Sequence, residues 1–291
     1  MDCSIRHQHR KTILKVKWVI EDFEPDNKFG ALADEVRRQG MDCETIRYLP
    51  LQSGSYDVFK KRDCVLFQGS LNLATQLQTE KEWVPGPWLS VENYQCTIYY
   101  AHLGKYLFND PYIMLPRAEV KRNLSWLYDE AFGAKLTGLF FRPSSGMKPF
   151  TAGVCDPSSF ESFWKWVEEF SEPHSIVVIS PIKKILGEWR FVCADHQIIT
   201  GCQYRKDGSI NYAQNYPAEA KALADQIAGE KFQPDPMFII DICQGESGRY
   251  YLLEINSFSC GGLYACEMEP IVKKASEIAL REWEDLFGDS Q

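Results

Sequence analysis

The sequence lacks several features that would assign it to a specialised class of protein. None of its 291 residues lies in an apolar run approaching the ~20 residues needed to span a bilayer. The basic residues Arg6, Arg10 and Lys11 precede only a short apolar segment, which is unlike a signal peptide. The net charge is −8 and there is no long basic run, so a sequence-independent nucleic-acid binder is disfavoured. We therefore expect neither a membrane nor a nucleic acid as partner.

The cysteines also lack a pattern. The chain has ten, without a CxxC pair or the spacing of a zinc site. Cys64, Cys193 and Cys243 lie in apolar, strand-like runs. They are typical of reduced, packed thiols, which predicts a cytoplasmic protein.

What the chain does contain is enough apolar material for more than one core. Hydrophobic residues make up 45% of it and aromatic residues 13%. Strand and helix patterns alternate over the first ~85 residues, which predicts a small open α/β domain. Its predicted elements are the strands Ile13–Ile20, Cys43–Tyr48 and Asp63–Gln68 and the helices Lys28–Gln39 and Ser70–Gln78. The run Trp83–Trp88, rich in proline and glycine, predicts a domain boundary without regular structure.

A mixture of strands and helices is predicted downstream of this boundary. Ser158 and Glu161 have the spacing of a capping box that would open the helix Phe160–Phe170. The other predicted helices are Glu92–Leu103, Ala218–Ala228 and Pro270–Phe287, and the predicted strands are Leu139–Arg142, Ile176–Ser180, Glu188–Cys193 and Ile198–Tyr204.

The most informative segment is a predicted hairpin, in which Met237–Cys243 and Tyr250–Asn256 are joined by a polar, glycine-containing loop. Side chains alternate along a strand, so Glu254 and Asn256 share one face. Pairing around the loop would put Asp241 opposite Leu252 and diagonal to Glu254, roughly 5–8 Å away. Each acidic residue alone is typical of a solvated strand edge. Together, three oxygen-bearing side chains on apolar strands predict a site for Mg²⁺ and a nucleotide.

Cationic residues upstream suit the phosphates of such a nucleotide. Arg142 ends a strand and enters a loop of small residues that carries Lys148, and both charges could neutralise phosphate. Glu188 and Arg190 share one strand face, where Arg190 could stabilise charge on a transferring phosphoryl group or acyl phosphate. Glu188 could orient Arg190 or hold a ribose hydroxyl. An ordinary surface turn and a solvated ion pair are the structural alternatives.

Further residues are candidates for contacts with the substrate or the phosphates. Tyr204 and Arg205 are expected to line the acceptor side of the site. Which of three lysines reaches a phosphate is left open; these are Lys105, Lys183 and Lys184.

In this order the segments resemble the ATP-grasp superfamily. The stretch Leu253–Gly262 is very similar to the terminal magnesium motif of ribosomal-protein glutamate ligases and D-alanine–D-alanine ligases. Arg142 stands where most members carry lysine, and together with Lys148 it resembles a less characterised clade. The resemblance implies two α+β lobes that clamp ATP, with adenine against a hinge at Ser180, Pro181 and Ile182. It also implies Mg²⁺ on Asp241, Glu254 and Asn256.

The resemblance further implies a domain order and an activity. Residues 1–88 would form an α/β domain that precedes the ATP-grasp fold, residues 89–175 its first lobe, and residues 176–291 its second lobe with the metal site. The implied reaction is ATP- and Mg²⁺-dependent joining of a carboxylate and an amine through an acyl phosphate, on an amino acid, peptide or protein. A kinase-like phosphotransferase and a non-catalytic ATP-binding switch are the alternatives.

Overall fold

The architecture is that of a computed structural model, which describes residues 15–22, 29–48, 56 and 58–288. The predicted basic leader and the first residues of the first predicted strand and helix lie outside these ranges. Three sheets and eight α-helices are found in the described part of the chain. No helix in it combines the length and the apolar character needed to cross a membrane.

The first sheet is parallel and has the strand order β2-β1-β3-β4. Its strands are β1 Lys17–Glu21, β2 Asp42–Ile46, β3 Cys64–Gln68 and β4 Val84–Gly86, and its helices are α1 Gly30–Arg38 and α2 Leu71–Glu80. The α/β pattern predicted for this segment is therefore confirmed. The prediction that Trp83–Trp88 has no regular structure is wrong, because Val84–Gly86 pairs with β3 at the edge of the sheet, where proline is tolerated.

The second sheet is antiparallel, with the order β5-β8-β6-β7. Its strands are β5 Ile113–Pro116, β6 Leu139–Pro143, β7 Gly153–Cys155 and β8 Ile176–Pro181. The helices of this segment are α3 Cys96–Leu103, α4 Arg117–Val120, α5 Leu124–Asp129 and α6 Phe160–Phe170. One face of the sheet packs on α6 through Phe141, Phe160 and Trp164, all fully buried.

Two local predictions in this region are wrong. The predicted helix Glu92–Leu103 is a 3₁₀ turn at Val91–Tyr94 followed by α3. The capping box is absent, since Ser159 and not Ser158 is the N-cap of α6 and no side chain makes a capping hydrogen bond there. Oδ1 of Asp156 accepts hydrogen bonds from the backbone N–H groups of Ser158 and Ser159, at 2.9 and 2.8 Å.

The third sheet is antiparallel, has the order β11-β10-β9-β12-β13, and carries most of the predicted site. Its strands are β9 Ile185–Ala194, β10 Gln197–Lys206, β11 Ser209–Ala213, β12 Met237–Gly245 and β13 Tyr250–Ser257; its helices are α7 Ala218–Ala228 and α8 Met268–Phe287. One core runs from α1, β1 and β3 through α8 to the inner residues of β9 and β12. Trp18 of β1 donates a hydrogen bond to Ser276 of α8 at 3.2 Å. The third sheet and the first are thus joined through one helix.

Candidate active site

Three charged residues form a transverse row across the third sheet. Arg190 on β9 pairs in register with Asp241 on β12, which pairs with Glu254 on β13. The register shifts after Asp241, because the next pair is Ile242 with Leu252 and Leu253 is an extra residue on its strand. The predicted register is therefore wrong by this β-bulge, which places Asp241 directly opposite Glu254 and not diagonal to it. The bulge thus brings Asp241 into register with Glu254 as well as with Arg190.

Arg190 and Asp241 form a buried, two-pronged ion pair. The guanidinium donates from Nε to Oδ1 at 2.8 Å and from Nη2 to Oδ2 at 2.7 Å, and its third nitrogen donates to the carbonyl of Gly262 at 2.7 Å. The two side chains are 7% and 1% exposed. The rings of Tyr264 and Tyr204 lie 4.6 and 5.4 Å from the guanidinium carbon. Arg190 is thus fixed by hydrogen bonds at its edges and by aromatic rings beside it.

The pKa shifts of this pair follow from burial and from mutual attraction. Burial raises the pKa of Asp241, and the charge of Arg190 opposes that shift. Burial would lower the pKa of Arg190, but the carboxylate outweighs it and the pKa is raised. Two charge-assisted hydrogen bonds favour the ionised pair at neutral pH.

Glu254 is the centre of a second charged cluster. It accepts from Nη2 of Arg142 at 3.0 Å, and the ammonium of Lys148 lies 3.2 and 3.3 Å from its two oxygens. The amide oxygen of Asn256 accepts from the same ammonium at 2.7 Å, and its NH₂ group donates to Glu254 and Asp241 at 3.0 Å each. Burial would raise the pKa of Glu254, but Lys148 and Arg142 outweigh it and lower that pKa. The structure therefore brings both predicted phosphate-binding cations onto two of the predicted metal-binding residues.

The arrangement of oxygen atoms around Lys148 suits a hard cation. The ammonium group of Lys148 already lies within 3.3 Å of both oxygens of Glu254 and 2.7 Å from the amide oxygen of Asn256. Mg²⁺ in nucleotide sites commonly uses one or two carboxylates together with phosphates and water. No group of three or more His, Cys, Asp or Glu side chains suited to a metal occurs among the described residues. These donors thus fit a metal shared with phosphate better than a metal held by protein alone. Asp241 is the least available of the predicted ligands, because both of its carboxylate oxygens bond Arg190.

A cleft of about 480 Å³ opens between the second and third sheets beside these clusters. Arg142, Lys148 and Glu254 line it at one end. Its apolar walls come from residues that the sequence analysis did not select: Phe140 of β6, Ile185 of β9 and Leu253 of β13. Phe140 shares a strand face with Arg142, so a signal for it was present in the sequence. Leu253 faces the cleft at the bulge, which the sequence did not reveal.

The three predicted hinge residues run beside this cleft without lining it. Ser180 and Pro181 pair with Phe140 and Leu139 of β6, and Ser180 is buried. The side chain of Ile182 is 46% exposed and lies in a neighbouring depression. The role of the hinge in holding adenine stays a prediction.

The remaining predicted residues separate into two groups. Glu188, Tyr204 and Arg205 line the cleft, and the Tyr204 hydroxyl donates to Glu188 at 2.6 Å. Burial raises the pKa of Glu188, against that hydrogen bond. The other group comprises the three lysines that were left undecided: Lys105, Lys183 and Lys184 line the neighbouring depression instead, where Lys183 donates to the carbonyl of Phe108 at 2.7 Å.

A smaller cavity of about 120 Å³, here called the inner cavity, lies on the other side of Arg142 and Lys148. Leu71 of α2, Leu89 and Cys260 also line it. Arg142 and Lys148 line both this cavity and the cleft. The cluster around Glu254 thus lies at the junction of two spaces, whereas Arg190 and Asp241 line neither of them. The sequence analysis missed this cavity because its walls come from distant segments.

A family model of the ATP-grasp domain, that of R-2-K clade family 2, matches residues 126–274, about half of the chain. The chain belongs to this ATP-grasp family. The match spans three of the four strands of the second sheet and all five strands of the third, including Arg142, Lys148, Glu188, Arg190 and the hairpin of β12 and β13. No curated protein matches the chain by sequence.

Solved structures agree with the ATP-grasp fold. The D-cycloserine synthetase DcsG is 15% identical, with 91% of this chain and 99% of that chain covered at a TM-score of 0.62. The D-alanyl-alanine synthetase A of Vibrio cholerae O1 biovar eltor str. N16961 is 14% identical, with 94% and 98% covered at a TM-score of 0.58. The ATP-grasp ligase PsnB complexed with minimal precursor is 12% identical, with 91% and 100% covered at a TM-score of 0.51. The predicted ATP-grasp fold is therefore confirmed, including the α/β unit that precedes it, which these alignments cover.

Proposed function

We propose that the protein is an ATP- and Mg²⁺-dependent carboxylate–amine ligase that works through an acyl phosphate. The observation that carries this proposal is the position of Arg142 and Lys148 between two spaces, a cleft large enough for a nucleotide and the smaller inner cavity. A transferring phosphoryl group between a nucleotide and an acid needs cations at that junction. Proteins named as synthetases and ligases among the structures of the same fold support this interpretation.

The cleft would hold ATP with its base between Phe140, Ile185 and Leu253. These apolar side chains offer the surface that a purine needs, and Glu188 lies where a ribose hydroxyl could be bound. The phosphates would then extend toward Arg142 and Lys148. Tyr204 and Arg205 line the same cleft and would contact the nucleotide or the entering amine.

Glu254 and Asn256 would hold Mg²⁺, with Asp241 as a further ligand. The metal would neutralise phosphate charge as the β–γ bond breaks. Lys148 would have to leave these oxygens, and its release would supply a mobile cation for the phosphates. Arg190 would orient Asp241 through its two hydrogen bonds to that carboxylate.

The reaction has two balanced steps. A carboxylate oxygen of the acid attacks the γ-phosphorus, the bond to the bridging oxygen breaks, and ADP leaves. The nitrogen of an amine then attacks the acyl carbon, phosphate leaves, and the nitrogen loses a proton to form the amide. Positioning and charge neutralisation account for most of the rate in such phosphoryl transfers.

Trapping with hydroxylamine tests this proposal without knowledge of the natural amine. The protein is incubated with ATP, Mg²⁺, hydroxylamine and a panel of carboxylic acids, and ADP and hydroxamate are measured together. A ligase gives both in equal amounts, and Glu254→Ala loses both. A phosphotransferase gives ADP with a stable phosphorylated product and no hydroxamate. ADP release that is independent of any acid, or unchanged in Glu254→Ala, would exclude a ligase.

A further inference from the structure

The inner cavity is lined by cationic and by apolar side chains. Arg142 is only 8% exposed, and its Nε has no hydrogen-bond partner within the described part of the chain. Lys148 lies beside it. A guanidinium and an ammonium that line one space are suited to a carboxylate. They would therefore receive the acid group of a ligand.

The other side chains of the lining carry no charge. Leu71, Leu89 and Ile255 are aliphatic. The hydroxyl of Tyr94 is engaged by Asp235, to which it donates at 2.6 Å. Burial raises the pKa of Cys260 to about 12, so its thiol is neutral. The aliphatic part of the lining favours a hydrocarbon.

No acidic side chain lines the inner cavity among the described residues. Glu21 influences Cys260 electrostatically, but its carboxylate accepts the backbone N–H of Ser70 at 2.6 Å and does not line the space. Asn256 directs its two N–H donors to Asp241 and Glu254, and its oxygen to Lys148. A ligand ammonium in this cavity would have two cations for neighbours, and the carboxylate nearest to them, Glu254, already bonds both cations and does not line the cavity.

The volume restricts the size of the ligand. The inner cavity holds about 120 Å³, well below the roughly 300–1,000 Å³ of sites for drug-sized ligands. We infer that the acid activated by this protein is a small apolar monocarboxylic acid without an ammonium group beside its carboxylate, bound with its tail in the inner cavity. This rests on the proposed ligase function and names its acid substrate class.

The test compares two acids that differ only by an ammonium group. Leucine and 4-methylpentanoate share a carbon skeleton, and each is assayed for hydroxamate formation with the full-length protein, together with glutarate as a dicarboxylate. We expect kcat/KM for 4-methylpentanoate to exceed that for leucine and for glutarate by at least about 100-fold, because burying an unpaired ion is costly. Calorimetric binding of each acid in the presence of Mg²⁺ and a non-hydrolysable ATP analogue should follow the same order.

A space-filling variant locates the tail. Leu71→Phe should raise KM for 4-methylpentanoate at least about tenfold and leave the affinity for ATP unchanged, since Leu71 lines the inner cavity and not the cleft. Leu286→Phe is the matched control, on a residue of α8 that is 64% exposed, and should behave as the parent protein.

The outcomes separate the two proposals. Hydroxamate formed from leucine as fast as from 4-methylpentanoate overturns the inference and leaves the ligase function standing. An unchanged KM in a folded Leu71→Phe variant overturns the assignment of the tail to this cavity. Absence of ADP with every acid overturns the ligase function, and the inference with it.

Discussion

Arg190→Met is expected to destabilise the protein by about 3–5 kcal/mol at neutral pH, because it leaves the carboxylate of Asp241 buried without its counter-charge. Only the amide of Asn256, at 3.0 Å, would still donate to Asp241. Guanidinium denaturation followed by tryptophan fluorescence and far-UV circular dichroism measures the loss. In thermal unfolding it corresponds to a fall of roughly 6–20 °C, at about 2–4 °C per kcal/mol.

The loss of stability caused by Arg190→Met should become smaller as the pH falls. Burial raises the pKa of Asp241 even with Arg190 present. Without the guanidinium, the folded-state pKa lies further above the unfolded value of about 3.9. The penalty is therefore absent below that unfolded value and grows with rising pH until the folded-state pKa is passed, by at most about 1.4 kcal/mol per pH unit. The difference between variant and parent should be smallest near pH 4.

A double variant decides whether the two residues act as a pair. Asp241→Leu alone leaves the Arg190 guanidinium buried without a carboxylate, at a similar cost of about 3–5 kcal/mol. Combined with Arg190→Met it removes both charges, so the double variant should lose far less than the roughly 6–10 kcal/mol given by addition. Losses that add to within about 0.5 kcal/mol, or a penalty that does not change with pH, would refute this reasoning.

Other expectations concern Lys148, Glu254 and Gly146. Lys148→Met should weaken ATP binding about tenfold or more in calorimetric titration, because it removes a charge-assisted contact of about 1.5–3 kcal/mol. Lys148→Arg should recover most of the affinity. Equal affinity in the parent and both variants would contradict a contact between Lys148 and phosphate. Burial would raise the pKa of Glu254, but neighbouring cations lower it. The ionisation of Glu254 therefore stabilises the fold above pH ~4.3, and that stability is lost as the pH falls. In Glu254→Gln the free energy of unfolding should therefore depend less on pH in the acidic range. An unchanged dependence would count against the lowered pKa. A Cβ on Gly146 would lie 2.7 Å from Cβ of Tyr94, so Gly146→Ala should cost about 1–3 kcal/mol, whereas Gly104→Ala, with no atom within 4 Å, serves as control.

Much of the site could be predicted because its residues follow strand periodicity within short segments. The alternation of Glu254 and Asn256 placed them on one face, and their amide–carboxylate hydrogen bond of 3.0 Å agrees with that placement. Arg142 and Lys148 belong to a strand and the loop that follows it, and both contact Glu254. Local pattern is sufficient where the strand itself orients the side chain.

The rest depends on contacts between distant segments. One extra residue at Leu253 turned a diagonal pair into a direct one, and no local pattern marks a bulge in an apolar strand. The bond between Arg190 and Asp241 joins residues separated by 51 positions, for which the sequence predicts separate roles. The inner cavity likewise draws Leu71 and Ile255 together from opposite parts of the chain. Such features follow from packing, which periodicity does not report.

The helix α8 has a consequence for how the chain is made. Its residues Ile271, Ala275 and Ile278 complete the core that buries Trp18 and Leu66 of the first sheet. A ribosome delivers those strands long before it delivers the helix that covers them, since synthesis proceeds at about 5–20 residues per second. A sheet that formed during that interval would present an uncovered apolar face. The helix that closes the first sheet is thus made only after the strands of the two other sheets.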